Sequence, residues 1–285
     1  MESGVYFSVV VPTYERHESL MKLLGTLRAQ EFKGFEVVIV DQSAKSEDEE
    51  RLRGTGLNIK YFHVSEKGAG PARNFGVGKA EGSVIAFTDD DCIPDRDWLL
   101  NAKRYFDSSA ETVGLEGLIY SDMPDADPSK YRVVMNVNFE GIGFMTANMF
   151  YRKETVERAG LFDTLFDTPF REDTDLGWRV LEYGSIPYAK DVRVLHPVHP
   201  VTSSECRESK FERNKFFVKD AILYGKHPGR YLELFSAEGH FISAEGFWHY
   251  IQQGAFKYKT EITLKNLFDL YTQRLISGFK AVSDD

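Results

Sequence analysis

The sequence predicts an α/β protein built on a doubly wound, mainly parallel sheet, and two observations support this fold class. The first half contains short apolar runs without polar alternation, and most of these runs are followed by a stretch with helical spacing. Strands of this kind are buried on both faces, as in a parallel sheet covered by helices. The runs expected to form strands are residues 7–11, 35–40, 59–64 and 84–87.

Helices are expected between these strands. Residues 19–30 place four leucines at helical spacing. A second helix is expected to begin near Pro71, after Gly68-Ala69-Gly70, and to end by Gly82. Proline is favoured in a first helical turn and glycine just past a last one. The first strand is expected to stop at Pro12, which cannot donate to a sheet.

The second half is less regular and is expected to add a smaller antiparallel part to the sheet. Strands are expected near 113–120 and 148–151, and helices over 153–159 and 172–183. The remaining residues, 201–285, are expected to form a C-terminal helical extension, so that residues 1–200 make one domain with halves 1–100 and 101–200.

The charge balance excludes some partners. The chain of 285 residues carries 35 basic and 44 acidic residues, a net charge of −9. Such a chain lacks the broad basic surface that binds nucleic acid or anionic lipid without specificity. A phosphorylated ligand would therefore need a local cation, either a bound metal or a few well-placed arginines.

The cysteine count and the hydropathy favour a cytoplasmic protein. The two cysteines, Cys92 and Cys206, are too few for a disulfide framework, and we interpret Cys92 as a small buried apolar residue. The N-terminal residues lack a signal-peptide pattern, and no apolar run approaches the ~18 residues of a spanning helix. Peripheral contact with the inner face of a membrane stays compatible with this pattern.

Polar residues directly follow the predicted strands. Thr13, Tyr14 and Glu15 follow the first strand, Asp41 follows the second, and Asp89-Asp90-Asp91 follow the fourth. In an open parallel sheet, ligands bind outside the carboxyl ends of the strands. The sequence therefore predicts that these groups converge on one ligand-binding edge.

The three consecutive aspartates indicate a cation site. Adjacent carboxylates repel one another unless a cation compensates them, and Mg²⁺ or Mn²⁺ prefers oxygen ligands and also binds a diphosphate. The alternative is that the aspartates only form a turn and cap a helix. For Asp89 and Asp91 we favour metal binding.

Arg73 stands at an unusual position in the Gly68-Ala69-Gly70-Pro71-Ala72-Arg73-Asn74 segment. Glycines before a helix let backbone amides approach an anion, although many such loops are only tight turns. The helix dipole disfavours a cation in the first turn. We therefore expect an anionic partner for Arg73, either a phosphate or a nearby aspartate.

Glu172 and Asp173 begin a predicted helix, where acidic residues are ordinary partners of the helix dipole. Asp173 also lies at i, i+3 and i+7 spacing with Leu176 and Val180, which places it on the packed face. Partial desolvation raises the pKa of a carboxylic acid toward a value useful for a general base.

Several short motifs in a fixed order resemble the family 2 glycosyltransferases, and the similarity runs from about residue 7 to 199. These are inverting, nucleotide-sugar-dependent enzymes with the GT-A fold. The motifs are Val11-Pro12-Thr13-Tyr14, Val40-Asp41, Ala72-Arg73-Asn74, Thr88-Asp89-Asp90-Asp91, Asn148-Met149-Phe150-Tyr151-Arg152, Gly160-Leu161-Phe162-Asp163 and Arg171-Glu172-Asp173.

The resemblance implies a role for each matched residue. Asp173 is expected to be the catalytic base, and Asp91 the metal ligand together with His196, or His199 as the alternative. The residues expected to bind the donor are Pro12, Thr13, Tyr14, Glu15, Asp41, Arg73, Asp89 and Asp90. The residues expected on the acceptor side are Asn148, Glu172 and Trp178.

The chain departs from the family pattern at two positions. Gln42 stands where a second aspartate often follows, and Cys92 stands where a further acidic residue commonly follows the Asp89–Asp91 motif. Neither replaces a residue to which we assign a chemical role.

The resulting hypothesis is an inverting glycosyltransferase that uses Mn²⁺ or Mg²⁺, with a UDP-sugar as the first choice of donor and a saccharide or lipid-linked acceptor. The alternatives are a non-catalytic nucleotide-sugar or carbohydrate-binding module and a sugar nucleotidylyltransferase. The latter usually has a glycine-rich loop after its first strand, which is absent here. Residues 210–219 could close over the donor. The aromatic tail from His240 could contact lipid or sugar, or pack in a homodimer.

Overall fold

A computed structural model describes residues 4–127, 130–137, 143–166 and 169–201, together with 219, 222–223, 225–227 and 229–231. The chain divides into two compact units, Met1–Val201 and Thr202–Asp285, and the strands and helices named below all belong to the first. The expected lid at 210–219, apart from Lys219, and the aromatic tail lie outside the described residues.

The first unit alternates strands and helices along its first half. The strands are β1 (Phe7–Thr13), β2 (Phe35–Asp41), β3 (Ile59–His63), β4 (Val84–Phe87), β5 (Ile93–Pro94), β6 (Gly114–Tyr120), β7 (Tyr131–Arg132), β8 (Met149–Arg152), β9 (Tyr188–Leu195) and β10 (His199–Pro200). The α-helices are α1 (His17–Arg28), α2 (Glu49–Gly54), α3 (Ala69–Lys79), α4 (Trp98–Ser108), α5 (Lys153–Arg158) and α6 (Glu172–Val180).

The main sheet has eight strands in the order β3-β2-β1-β4-β8-β6-β9-β5. Strands β1 to β4 are parallel, β8 runs antiparallel to both β4 and β6, and β6 is parallel to β9. The short strands β7 and β10 form a separate antiparallel pair. The mixed, mainly parallel sheet confirms the predicted fold class.

The core explains the apolar runs of the first half. Every residue of β2 and β4 is buried, and the four leucines of α1 are fully buried against the sheet. Trp98 of α4 packs on Phe150 of β8, with ring centroids 5.0 Å apart. Burial of these side chains fixes the strands, and therefore the position of their carboxyl ends.

Strand β1 does not stop at Pro12, as the sequence suggested, but continues to Thr13. Its neighbour β4 pairs with it only as far as Val10, whereas β2 pairs with it up to Thr13. A proline is tolerated where one side of a strand has no partner that needs its N–H.

Two other boundaries differ from the predictions. Asn148 belongs to a 3₁₀ turn (Thr146–Asn148) that precedes β8, and α6 ends at Val180 rather than near residue 183. Among the residues that the structure describes, no helix is long and apolar enough to cross a membrane.

Candidate active site

The ends of β1, β2 and β4 bring their polar residues together, as the sequence predicted. The Thr13 hydroxyl at the end of β1 donates a 2.6 Å hydrogen bond to Asp90 Oδ2, which follows β4. Burial raises the pKa of Asp90 to about 6; the Thr13 hydrogen bond and Arg16 oppose this rise, and the charges of Asp91 and Asp89 add to it. The negative charge of the three consecutive aspartates is thus partly compensated by side chains of the protein itself.

Arg16 is the compensating residue that sequence reasoning missed. Its Nη1 lies 2.5 Å from Asp91 Oδ2 and 3.3 Å from Asp90 Oδ1, while about half of the side chain is exposed. Arg16 follows the first strand by only three residues, and a search for the expected local arginine could have found it there.

Four residues form a cluster of metal-ligating atoms, which we call the cation cluster. One ligand atom each from Asp89, Asp91, Cys92 and His196 lies within 4.8 Å of the other three. His196 Nε2 is 3.7 Å from Asp91 Oδ1, and His199 Nε2 is 3.1 Å from Asp91 Oδ2. Both candidate histidines therefore flank Asp91.

The cation cluster has ligand capacity that the protein leaves unused. Asp91 Oδ1 is buried and forms no hydrogen bond with any described residue. Buried polar atoms normally have a partner, so such groups need an explanation. An unused carboxylate oxygen 3.7 Å from the His196 imidazole nitrogen fits a bound divalent cation.

Arg73 links the cation cluster to the start of α6. Its guanidinium pairs with Asp89 Oδ1 at 3.1 Å and with Glu172 Oε1 at 3.2 Å, and the side chain is buried. The anionic partners expected from its helix position are therefore two carboxylates of the protein.

Glu172 and Asp173, which we call the acidic pair, occupy the first turn of α6. The preceding residue, Arg171, has a φ of 73°, and this left-handed conformation turns the chain into the helix. Glu172 is buried, and its Oε2 accepts a 2.6 Å hydrogen bond from Phe170 N. Asp173 is partly exposed and accepts a hydrogen bond from its neighbour, Thr174 N.

The acidic pair shares one counter-charge. Burial raises the pKa of Asp173 to about 7; the negative charge of Glu172 adds to this rise, and Arg73 opposes it. Burial also raises the pKa of Glu172 against the effect of Arg73. A carboxyl group with a pKa near 7 can hold or release a proton near neutral pH, which general-base chemistry requires.

Asp41 lies at the predicted edge, but its carboxylate is engaged within the chain. It accepts hydrogen bonds from Ser43 N (2.8 Å) and Tyr61 Oη (2.6 Å), and His17 Nε2 lies 2.9 Å from it. Burial alone would raise the pKa of Asp41, but these hydrogen bonds outweigh burial and lower it.

The remaining donor-side residues form a partly open surface beside Asp41. Tyr14 is 55% exposed, and Lys67 Nζ lies 4.6 Å from the centre of its ring. Glu15 adopts a φ of 54°, and its Oε1 accepts a 2.6 Å hydrogen bond from Ala44 N. Pro12, within β1, is partly buried.

The expected acceptor-side residues are buried supports. Asn148 is fully buried; its amide donates to Leu118 O and Val192 O and accepts from Trp98 Nε1. These bonds tie Asn148 to the sheet, and its contact with an acceptor stays a prediction. Trp178 is only 3% exposed, and Glu172 is paired with Arg73.

Known proteins with similar sequences are glycosyltransferases. A family model described as Glycosyl transferase family 2 matches residues 8–165. The chain is 26% identical over 212 residues to the glycosyltransferase AglE of Haloferax volcanii, covering 68% of each protein. It is 31% identical over 107 residues to the poly(ribitol-phosphate) β-N-acetylglucosaminyltransferase TarS of Staphylococcus aureus, which covers 35% of this chain and 19% of TarS.

Solved structures share the fold. The mannosyltransferase PcManGT of Pyrobaculum calidifontis, in complex with GDP-Man and Mn²⁺, aligns with a TM-score of 0.61 at 18% identity, covering 95% of this chain and 80% of that one. S. aureus TarS 1-349 in complex with UDP-GlcNAc aligns with a TM-score of 0.61 at 19% identity, covering 95% and 79%. The sheet described above is thus that of a GT-A protein. The chain belongs to glycosyl transferase family 2 and is a glycosyltransferase.

Proposed function

We propose that this glycosyltransferase moves the sugar of a nucleotide-diphospho-sugar to an acceptor hydroxyl with inversion, and that Asp173 is the general base. The observation that carries the proposal is the position of Asp173. It is partly buried, and its pKa is raised to about 7. Its neighbour Glu172 pairs with Arg73, and Arg73 in turn pairs with Asp89 of the cation cluster.

In the proposed reaction, Asp173 accepts the proton of the acceptor hydroxyl as the oxygen attacks the anomeric carbon. The new C–O bond forms while the bond to the diphosphate oxygen breaks, and that electron pair leaves with the diphosphate. A single displacement requires attack from the opposite face, so the anomeric configuration inverts. Arg73 pairs with both Asp89 and Glu172 and so keeps the cation cluster and the acidic pair close to each other.

The ligands for a cation would be Asp91 and His196, or His199, with Asp89 beside them. Carboxylate-rich sites suit Mn²⁺ or Mg²⁺, and the related PcManGT was solved with Mn²⁺. When bound, the cation supplies positive charge that stabilises the departing diphosphate. The unpaired Asp91 Oδ1 is the observation in this chain that supports such a site.

The donor is proposed to be a UDP-sugar, with a GDP-sugar as the alternative. The related TarS was solved with UDP-GlcNAc and PcManGT with GDP-Man. A thermal-shift series of UDP-, GDP- and dTDP-sugars with and without Mn²⁺ distinguishes these donors, because a ligand raises apparent stability by RT ln(1 + [L]/Kd). The acceptor is proposed to be the hydroxyl of a saccharide or of a lipid-linked saccharide.

The decisive variant is Asp173→Asn, which keeps the shape of the side chain and removes its basicity. Loss of a general base typically slows catalysis by about 10²- to 10⁴-fold, so transfer should fall in that range while the donor-induced thermal shift is retained. Asp107→Asn, which changes an exposed carboxylate on α4, is the matched control and should transfer normally. NMR of the product should show the inverted anomer.

Three results would contradict the proposal. Near-normal transfer by Asp173→Asn would remove Asp173 as the base, and a retained anomeric configuration would exclude a single displacement. Donor binding by the wild-type chain without turnover on any acceptor, including water, would instead favour a binding module of the same fold.

A further inference from the structure

The turn after β4 places a cysteine thiol beside two of the aspartates. Cys92 N donates a 3.1 Å hydrogen bond to Asp89 O, which closes a four-residue turn. Such a turn brings its first and last residues within about 7 Å of each other. Cys92 is only 1% exposed, so the sulfur faces the protein interior.

The ligand types in the cation cluster differ from those of an all-oxygen site. Besides the carboxylates of Asp89 and Asp91, the cluster contains the imidazole of His196 and the thiol of Cys92, all within 4.8 Å of one another. The Asp91 side chain is 93% buried, and its Oδ1, which has no hydrogen-bond partner among the described residues, faces His196 Nε2 at 3.7 Å. This oxygen without a partner independently points to a cation-binding position.

The dimensions of the cluster suit a small tetrahedral ion. Zinc binds sulfur at about 2.3 Å and nitrogen or oxygen at about 2.0–2.2 Å, so tetrahedral ligands lie roughly 3.3–3.8 Å apart. A spread of 4.8 Å requires the four side chains to move inward by about 1 Å at most.

We infer that Cys92 gives this site a sulfur ligand, so that it binds a thiophilic divalent cation of the Zn²⁺ type through Asp89, Asp91, Cys92 and His196. Cys92 binds as the thiolate, and its proton passes to solvent when the metal–sulfur bond forms. Mn²⁺ and Mg²⁺ prefer oxygen ligands and make little use of the sulfur.

This inference extends the cation site of the proposed function and gives it a second occupant with a different effect. Four protein ligands complete a tetrahedral zinc shell, whereas catalytic sites keep an open position. The Zn²⁺ form therefore has no free position for a diphosphate oxygen. Zn²⁺ is expected to compete with Mn²⁺ and to inhibit Mn²⁺-supported transfer.

The test uses Co²⁺ as a spectroscopic substitute for Zn²⁺ in the full chain. A thiolate ligand produces a sulfur-to-cobalt charge-transfer band in the near ultraviolet, which Zn²⁺ should abolish by displacement. The chain has two cysteines, so Cys206→Ser leaves Cys92 as the sole thiol. The band is expected in the wild type and in Cys206→Ser, and it should be absent from Cys92→Ser.

The Cys206→Ser variant decides the question even where a Cys92 variant does not fold. A band in this variant must come from Cys92. Absence of the band from Cys206→Ser would overturn the inference, and so would a band that persists in folded Cys92→Ser. Cys92→Ala is a second variant that preserves the apolar surroundings.

Zn²⁺ affinity and inhibition give a second readout. Cys92→Ser should bind Zn²⁺ at least about 10- to 100-fold more weakly. Removing a residue that only hydrogen-bonds to a metal ligand already weakens metal binding by that much. Inhibition of sugar transfer should therefore need a correspondingly higher Zn²⁺ concentration in Cys92→Ser than in Cys206→Ser. Equal Zn²⁺ affinity in the two variants would contradict the inference. Mn²⁺ binding without any cobalt–thiolate band would leave the proposed function intact and refute only the role of Cys92.

Discussion

The cation cluster and the acidic pair are both built from adjacent carboxyl groups, yet their surroundings differ. Asp91 in the cation cluster faces Arg16 and two histidines and retains an unpaired oxygen. Glu172 in the acidic pair is buried with Arg73 as its ion-pair partner. The first arrangement can accept a further cation, whereas the second holds a proton near neutral pH.

The difference shows how one residue type acquires two roles. An acidic group that keeps its charge and an unused oxygen atom is suited to bind a metal ion. An acidic group that is desolvated beside a second carboxyl group has its pKa raised and is suited to proton transfer. Arg73 contacts both groups, so it is the residue through which the two roles can be disturbed together.

The largest effect is expected from removing that shared counter-charge. In Arg73→Ala, Glu172 loses its buried ion-pair partner and Asp89 loses a 3.1 Å partner. Removing one member of a buried ion pair typically costs about 3 to 5 kcal/mol. Chemical denaturation should show a loss of that size, together with loss of transfer.

The control is Arg53→Ala, which breaks an exposed pair with Glu49 and should cost less than about 1 kcal/mol. Adding Glu172→Gln to Arg73→Ala removes the unpaired charge and should restore part of the stability. If Arg73→Ala were as stable as Arg53→Ala, Arg73 would not be the electrostatic link between the two sites.

The next largest effect is expected on Mn²⁺ affinity, which should depend on the cation cluster and not on the acidic pair. Asp91→Asn should weaken Mn²⁺ binding by about 10- to 100-fold or more, because it removes a metal ligand. Asp173→Asn should leave Mn²⁺ affinity unchanged, since no ligand is lost. The Mn²⁺ affinity of each variant can be measured from the EPR signal of free Mn²⁺. Equal weakening in the two would show that the sites are not functionally distinct.

Sequence reasoning located the sheet and the edge of the site because both follow from local patterns. Apolar runs such as those of β2 and β4 are buried in their entirety, so their ends could be assigned to within about two residues. The convergence of Thr13 with Asp90 follows from the parallel arrangement of β1 and β4.

The partners of individual side chains could not be predicted in the same way, because they depend on contacts between distant segments. The pairs Arg16–Asp91 and Arg73–Glu172 join residues 75 and 99 positions apart. Asn148 stands in a recognisable motif, but its amide hydrogen-bonds to Trp98 and to two backbone carbonyl groups. A motif therefore gave the position of this residue in the fold without giving its role.

A smaller effect concerns pH. Below about pH 7, Asp173 holds its proton and cannot accept another, so transfer should rise as the pH increases through this value. At pH 6 only about a tenth of the group would be ionised. Glu172→Gln removes the adjacent negative charge and should move the rise to lower pH. A pH profile of kcat/KM for the two proteins, each relative to its own plateau, measures the shift. A profile that does not move would exclude coupling within the acidic pair.

The smallest effect should come from Arg16, whose positive charge lies against Asp91 Oδ2, next to the Asp91 Oδ1 that a cation would approach. The two charges are 2.5 Å apart, but the arginine is about half exposed, so the pair contributes only about 0.2–1 kcal/mol. Removing Arg16 abolishes a competitor for Asp91, so Arg16→Ala should bind Mn²⁺ a few-fold more tightly. Arg53→Ala removes the same charge far from the site and should leave the Mn²⁺ affinity unchanged. Weaker Mn²⁺ binding in Arg16→Ala would mean that Arg16 positions Asp91 for the metal, which would place it with Arg73 as a supporting residue.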